Sequence, residues 1–110
     1  MTPEVRLMKE IQLWCGRHNF IAFHTNVGKI KFWDKVQQKE RYFDSGLPPG
    51  WPDLMILTDK GKVIFCETKV KPNRPTKEQL NTIDVLVKRG FLAFVCYSIE
   101  QFIEEVSKVS

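Results

Sequence analysis

The sequence predicts an α/β domain, a small mixed β-sheet flanked by helices, in the order α-β-β-β-α-β-α, or with a fourth strand before the second helix where Lys29–Trp33 forms one. Three observations lead there. Apolar residues recur at helical spacing across residues 3–17. Two short apolar runs, Leu54–Leu57 and Val63–Cys66, are separated by a Gly-containing turn, as in a β-hairpin. A capped helical segment from Thr76 then leads to a third apolar run, Phe91–Tyr97, the pattern of a crossover between parallel strands.

Residues 3–17 form the first helix. Thr2 is its N-cap, and Pro3 suits the first helical position, where a missing N–H costs nothing. Leu7, Met8, Ile11, Trp14 and Cys15 make one apolar stripe. At about 100° per residue, Glu4 falls within roughly 20° of the stripe's centre and Glu10 about 100° away. One acid of this helix therefore points to the core side, near the N-terminal end. Phe20–Thr25 reads as a strand. Asn26-Val27-Gly28 is a turn signal, and Lys29–Trp33 reads as a second strand paired with the first. Residues 34–50 are polar, end in Gly46-Leu47-Pro48-Pro49-Gly50, and read as a long surface loop that gates substrate or builds a dimer.

Asp53–Thr58 and Lys62–Val70 are the clearest strands, joined by Asp59-Lys60-Gly61. A three-residue hairpin loop with Gly last puts Thr58 opposite Lys62. Counting back, Asp53 lies opposite Glu67, with Cβ atoms about 5 Å apart. Lys69, two residues on, shares their face. A two-residue loop would instead turn Glu67 to the other face, so the odd loop decides whether these charges meet. Thr76-Lys77-Glu78-Gln79 is a capping box opening a helix that runs to about Arg89, with Gly90 ending it. Phe91–Tyr97 has the continuous apolar character of a strand buried on both faces, and a right-handed crossover lays it parallel to Lys62–Val70. Ser98-x-x-Gln101 caps a short last helix.

Length and composition bound the rest. A chain of 110 residues with 43% apolar content supports one core and one domain, residues 1–110. Cys15, Cys66 and Cys96 lie in apolar runs without a C-x-x-C pair, and read as buried free thiols in a reducing compartment. No apolar stretch approaches the roughly 18 residues of a membrane span, and the first residues lack a signal-peptide core. A cytoplasmic protein is the expectation. The net charge of +4 is compatible with a polyanionic partner without demonstrating one. His18 and His24 read as ordinary, and Trp14, Trp33 and Trp51 as core or loop anchors.

The charges that open and close the hairpin carry the chemistry. Ionised groups beside a core are costly unless paired or bound to a metal. Asp53 alone reads as a strand-entry cap, and Glu67 with Lys69 as a solvated strand end. Placed on one face, they read as a site. Two carboxylates about 5 Å apart suit Mg²⁺ or Mn²⁺, with the backbone carbonyl of Thr68 as a further oxygen donor. Lys69 would orient or deprotonate a water, or stabilise transition-state charge. Glu4 would add an acid from the helix, directly or through a water on the metal, although the helix macrodipole explains an acid there equally well. Gln79 is explained by its capping box alone. These residue types match metal-dependent hydrolysis of a phosphodiester. Lys29, Lys31, Lys35, Lys39, Arg41, Lys71, Arg74 and Lys77 flank the site; they would neutralise a nucleic-acid backbone, or are simply solvated.

Gly50-Trp51-Pro52-Asp53, then thirteen residues, then Glu67-Thr68-Lys69, resembles the PD-(D/E)xK nuclease signature. The Gly before Trp-Pro-Asp, a helix-1 acid and Thr76-x-x-Gln79 resemble the virus-type replication-repair nuclease (VRR-NUC) branch, over Glu4 to about Tyr97. That resemblance implies a restriction-endonuclease-like core. It implies metal ligation by Asp53, Glu67 and the intervening carbonyl, with Lys69 as the catalytic lysine. Glu4 matches the family's helix-1 acid, and Gln79 its glutamine near the active site. Compact members of this branch, often from phages, resemble Holliday junction resolvases and act as homodimers, which implies four-way-junction DNA as substrate and the host cytoplasm as setting. The alternatives are a non-cleaving nucleic-acid-binding module of the same fold, or a nickase, flap cutter or restriction-type enzyme.

Overall fold

Thr2 caps the first helix, α1 (Pro3–Arg17): its hydroxyl accepts the Val5 N–H at 3.2 Å. The computed structural model describes residues 1–25, 29–44 and 46–109, and for residues 29, 30, 43 and 44 it describes the backbone. The remaining elements are β1 (Ile21–His24), β2 (Lys29–Asp34), β3 (Lys39–Asp44), β4 (Leu54–Leu57), β5 (Val63–Thr68), α2 (Lys77–Lys88), β6 (Leu92–Cys96) and α3 (Ile99–Ser107).

Four strands form the main sheet in the order β1-β4-β5-β6. β1, β4 and β5 are antiparallel neighbours, and β6 runs parallel to β5 as the crossover requires. The expected mixed sheet between helices is therefore present. The pleat sends alternate residues to two cores. On one face, Leu54, Ile56, Ile64, Cys66, Phe94 and Cys96 pack with Leu7, Ile11 and Cys15 of α1 and Phe102 and Val106 of α3. On the other, Phe65 and Ala93 meet Leu86 of α2, with Trp51, Met55 and Ile83 around them. The three thiols are free and buried, as their apolar settings indicate, and burial pushes the Cys15 thiol up to about 12. Among the described residues no helix is long and apolar enough to cross a membrane.

Two expectations change. β2 does not pair with β1; β1 pairs with β4, Ile21 opposite Leu57 and His24 opposite Leu54. β1 is itself mostly exposed, but it follows buried Phe20 and lays Ala22 against the core, a support that an isolated hairpin lacks. The Asn26-Val27-Gly28 turn signal lies outside the described residues. Residues 34–50 are also not all loop, because they contain β3, which pairs with β2 from Lys29↔Asp44 to Asp34↔Lys39. Asp34 turns the chain: its Oδ1 accepts the N–H groups of Val36 at 2.9 Å and Gln37 at 3.1 Å. The β2–β3 ribbon is a second sheet, separate from the first. Trp33, expected as a core or loop anchor, lies on it at 59% exposure and outside both described cores.

Candidate active site

The hairpin register brings the acids together. Leu54 pairs with Cys66 and Leu57 with Val63, and the Thr58 N–H donates to the Lys62 carbonyl at 2.9 Å. The turn is the three-residue form, with Gly61 at φ +76°. One step beyond Leu54↔Cys66, Asp53 stands opposite Glu67. Asp53 is held by the neighbour of its partner: Oδ1 accepts the Thr68 N–H at 3.0 Å, and Oδ2 accepts the Thr68 hydroxyl at 2.6 Å. The N–H and C=O of a strand residue leave the strand on the same edge. The Thr68 carbonyl therefore faces the Asp53 side, while the next N–H, of Lys69, donates across to Cys96 at 2.9 Å.

Electrostatics mark this corner as unusual. Glu67 is only 4% exposed. Burial raises its carboxyl pKa to about 8, the negative charges of Asp53 and Glu4 add to the rise, and Lys69 opposes it. Burial also raises Asp53, against the Thr68 hydrogen bonds and the positive charges of His24 and Lys69. Both acids thus resist ionisation, and both feel the Lys69 ammonium as their counter-charge. His24, read from the sequence as ordinary, ends β1 close enough for its charge to act on Asp53.

Gln79 serves two neighbours at once. Its Oε1 accepts the Thr76 N–H at 2.8 Å, completing the capping box of α2, and its Nε2 reaches Glu67 Oε1 at 3.4 Å. The cap and the site are therefore not alternatives, because the two ends of one amide do different work. Gly50 explains how α2 comes so close. A Cβ at Gly50 would lie 2.7 Å from the Glu78 carbonyl carbon and oxygen and 3.0 Å from the Gln79 nitrogen, and the residue has φ +85°. Only glycine lets the strand-entry loop touch the first turn of α2.

Glu4 stands at the edge of this group. Its charge is felt at Glu67, which Glu10 does not share, but among the described residues no three His, Cys, Asp or Glu groups gather closely enough to hold one ion. Asn73, which the sequence reading does not single out, donates from Nδ2 to Glu4 Oε1 at 2.6 Å. Asn73 closes a turn directly after β5, with its N–H on the Val70 carbonyl at 3.0 Å. That turn and the start of α1 line a cleft of about 340 Å³. No sequence signal marks Asn73, because its partner is at the other end of the chain.

The basic residues fall into two groups. Lys71 and Arg74 line a neighbouring cleft with Tyr97, and Lys77 opens α2 beside Gln79. Lys29, Lys31, Lys35, Lys39 and Arg41 belong to the ribbon or its tip. Two of these are occupied: Lys31 pairs with Glu40 at 2.9 Å and Arg41 with Asp34 at 3.2 Å.

The model of the VRR-NUC domain matches residues 23–100, more than two-thirds of the chain. The chain belongs to the VRR-NUC family. A solved structure described as a VRR_NUC domain superposes with a TM-score of 0.70, covering 100% of both chains at 22% identity, and so supports the fold. Among curated proteins none matches the sequence.

The family's nuclease-type fold implies a divalent cation, and the donor set of this VRR-NUC chain fits one. Two carboxylates are pushed above their ordinary range by burial, with the Asp53 charge adding at Glu67 and Lys69 offsetting only part of the rise, so a cation between them would stabilise both ionised forms. Asp53, Glu67 and the Thr68 carbonyl are hard oxygen donors, the type that Mg²⁺ and Mn²⁺ select, and these ions retain waters where protein ligands are few.

Proposed function

We propose that this chain is a Mg²⁺- or Mn²⁺-dependent endodeoxyribonuclease that cuts branched DNA, with a four-way junction as its preferred substrate, and works as a homodimer in the cytoplasm. The observation that carries the hydrolytic reading is the cross-strand placement of Asp53 against buried Glu67, with Lys69 on the same face. Junction preference and dimerisation rest on the family resemblance; a twofold dimer would present two sites to two symmetric strands.

When bound, a divalent ion supplies Lewis-acid stabilisation of phosphoryl charge and activation of water. Asp53 and Glu67 would hold it, with the Thr68 carbonyl. Thr68 locks the Asp53 carboxylate through two hydrogen bonds. Gln79 orients Glu67 from above. Lys69 places an ammonium beside the acids, where it orients the attacking water and stabilises negative charge on the phosphate in the transition state. Glu4, steadied by Asn73, contributes a further acid at the rim.

The test is cleavage of end-labelled DNA by purified protein. A four-way junction, a flap, a single strand and a linear duplex are each incubated with Mg²⁺, Mn²⁺ or chelator. Metal-dependent, paired symmetric cuts in the junction are expected. Asp53→Ala and Glu67→Ala should abolish them and weaken Mn²⁺ binding in calorimetry. Lys69→Ala should bind Mn²⁺ normally and lose about 10²-fold or more in rate. Equal cutting by Asp53→Ala and wild type would remove the site assignment. A junction bound but uncut under every condition would establish a non-cleaving binding module instead.

A further inference from the structure

The β2–β3 ribbon is the one large feature that the cleavage chemistry leaves unused. Among the described residues it pairs with no strand of the main sheet, and no helix packs extensively on it. A two-stranded hairpin by itself is marginally stable in water, so a partner laid on this ribbon would add to its stability. Its roots lie at the active site. Before it, Thr25 donates its N–H to the Asp53 carbonyl at 2.8 Å; after it, the chain runs through Gly50 to Asp53 itself.

Its chemistry points to one partner. Register puts Lys31, Trp33, Glu40 and Tyr42 on one face, and Phe32 and Arg41 on the other. Aromatic and charged side chains alternate on both faces, so burial against another protein would desolvate the ion pairs along with the rings. The ribbon's described acids, Asp34 and Glu40, are neutralised across the strands. At the tip, Lys35 and Lys39 are exposed and have no carboxylate within salt-bridge distance among the described residues. Gln37 and Gln38 lie between them.

We infer that the β2–β3 ribbon is a duplex-binding arm that enters a groove of the DNA next to the scissile phosphate, with Lys35 and Lys39 on the backbone at its far end. The inference rests on the DNA-cleavage reading above and deepens it. The major groove of B-DNA admits a two-stranded ribbon, and Gln and Lys are side chains that contact base edges and phosphates there. β2 has six residues, which is about 20 Å of strand. At about 3.4 Å per step, the tip reaches roughly six base pairs from the cut.

The experiment measures DNA binding in chelator, so its result does not depend on cleavage. Lys35→Glu, Lys39→Glu and the double variant are compared with wild type on a junction with long arms, across a salt series. Lys60→Glu, the same reversal in the β4–β5 turn at the opposite end of the sheet, is the control. The double variant should bind at least about tenfold more weakly, and its log–log salt slope should fall by about two, one for each lost phosphate contact. The gap from wild type should close as the arms are cut below about six base pairs. Affinity and slope equal to wild type, a loss matched by Lys60→Glu, or wild type failing to bind would overturn the arm. Light scattering is run in parallel: a double variant that turns monomeric from a dimeric wild type would assign the ribbon to a second copy of the chain instead. A wild type that binds through the ribbon but never cuts would keep this inference and remove the nuclease reading.

Discussion

Asp53 and Glu67 are each unremarkable as residue types; their burial and their position against one another raise their hold on a proton. A carboxylate that is buried and faces a second carboxylate holds its proton, and Glu67 does so to about pH 8 without a cation. Thr68 stabilises the ionised form of Asp53 with two donors, which offsets part of the rise that burial causes. Glu4 adds charge from further off, and Asn73 fixes its carboxylate by one strong hydrogen bond. Glu4→Gln should therefore slow cleavage more than Glu10→Gln, and Asn73→Ala should fall between them, by about tenfold or less. Single-turnover rates on a saturating junction check the order, and Mn²⁺ titration separates lost ligation from lost rate. Glu10→Gln as the worse variant would mean that Glu10, not Glu4, is the acid of α1 that serves the site.

Elements matter here through their ends. α2 begins with a complete capping box, and the same first turn is the surface that Gly50 approaches. A cap residue, a loop glycine and Gln79 thus share one junction, and moving α2 moves the amide away from Glu67. Gly50→Ala should cost about 1–3 kcal/mol, from the positive φ and the collision with the Glu78 backbone. Denaturant unfolding measures this. Cleavage should also fall by more than the loss of folded protein accounts for, because Gln79 shifts. A Gly50→Ala protein as stable and active as wild type would show that the loop and helix can separate freely. The turn between β4 and β5 has the complementary role. One residue fewer there would send Glu67 to the opposite face and undo the site without touching it.

Across the whole molecule, the buried acids set how stability responds to pH. Below the ordinary glutamate value of 4.5, Glu67 is neutral in both folded and unfolded chains, and its contribution to stability is fully present. As pH rises, the unfolded chain releases the proton while the folded protein keeps it up to about 8. Stability then drops, with a slope of up to about 1.4 kcal/mol per pH unit for this one group. Asp53, also raised, acts in the same direction from its own ordinary value of 3.8. In chelator, the stability gap between Glu67→Gln and wild type should widen between pH 4.5 and about 8 and then level off. A gap that does not vary with pH would mean that Glu67 is ionised in the folded protein throughout.

The sequence by itself determined what is local. Thr2, the Thr76–Gln79 box and Ser98 place three helix starts, because capping groups lie within three residues of the N–H they satisfy. The Asp59-Lys60-Gly61 turn sets the register that opposes Asp53 and Glu67, since a hairpin's pairing follows from its loop length. Tertiary structure decided what depends on the path of the chain. β1 joined β4 across about thirty residues instead of the strand that follows it, with Phe20 and Ala22 docking on the core at that edge, and no local pattern records such a contact. β3 was illegible because a ribbon solvated on both faces shows no apolar alternation, and Lys39-Glu40-Arg41 reads like loop. The Glu4–Asn73 bond spans 69 residues. No periodicity records such a contact, because it exists only after the sheet has brought the first helix and the β5 exit to the same rim.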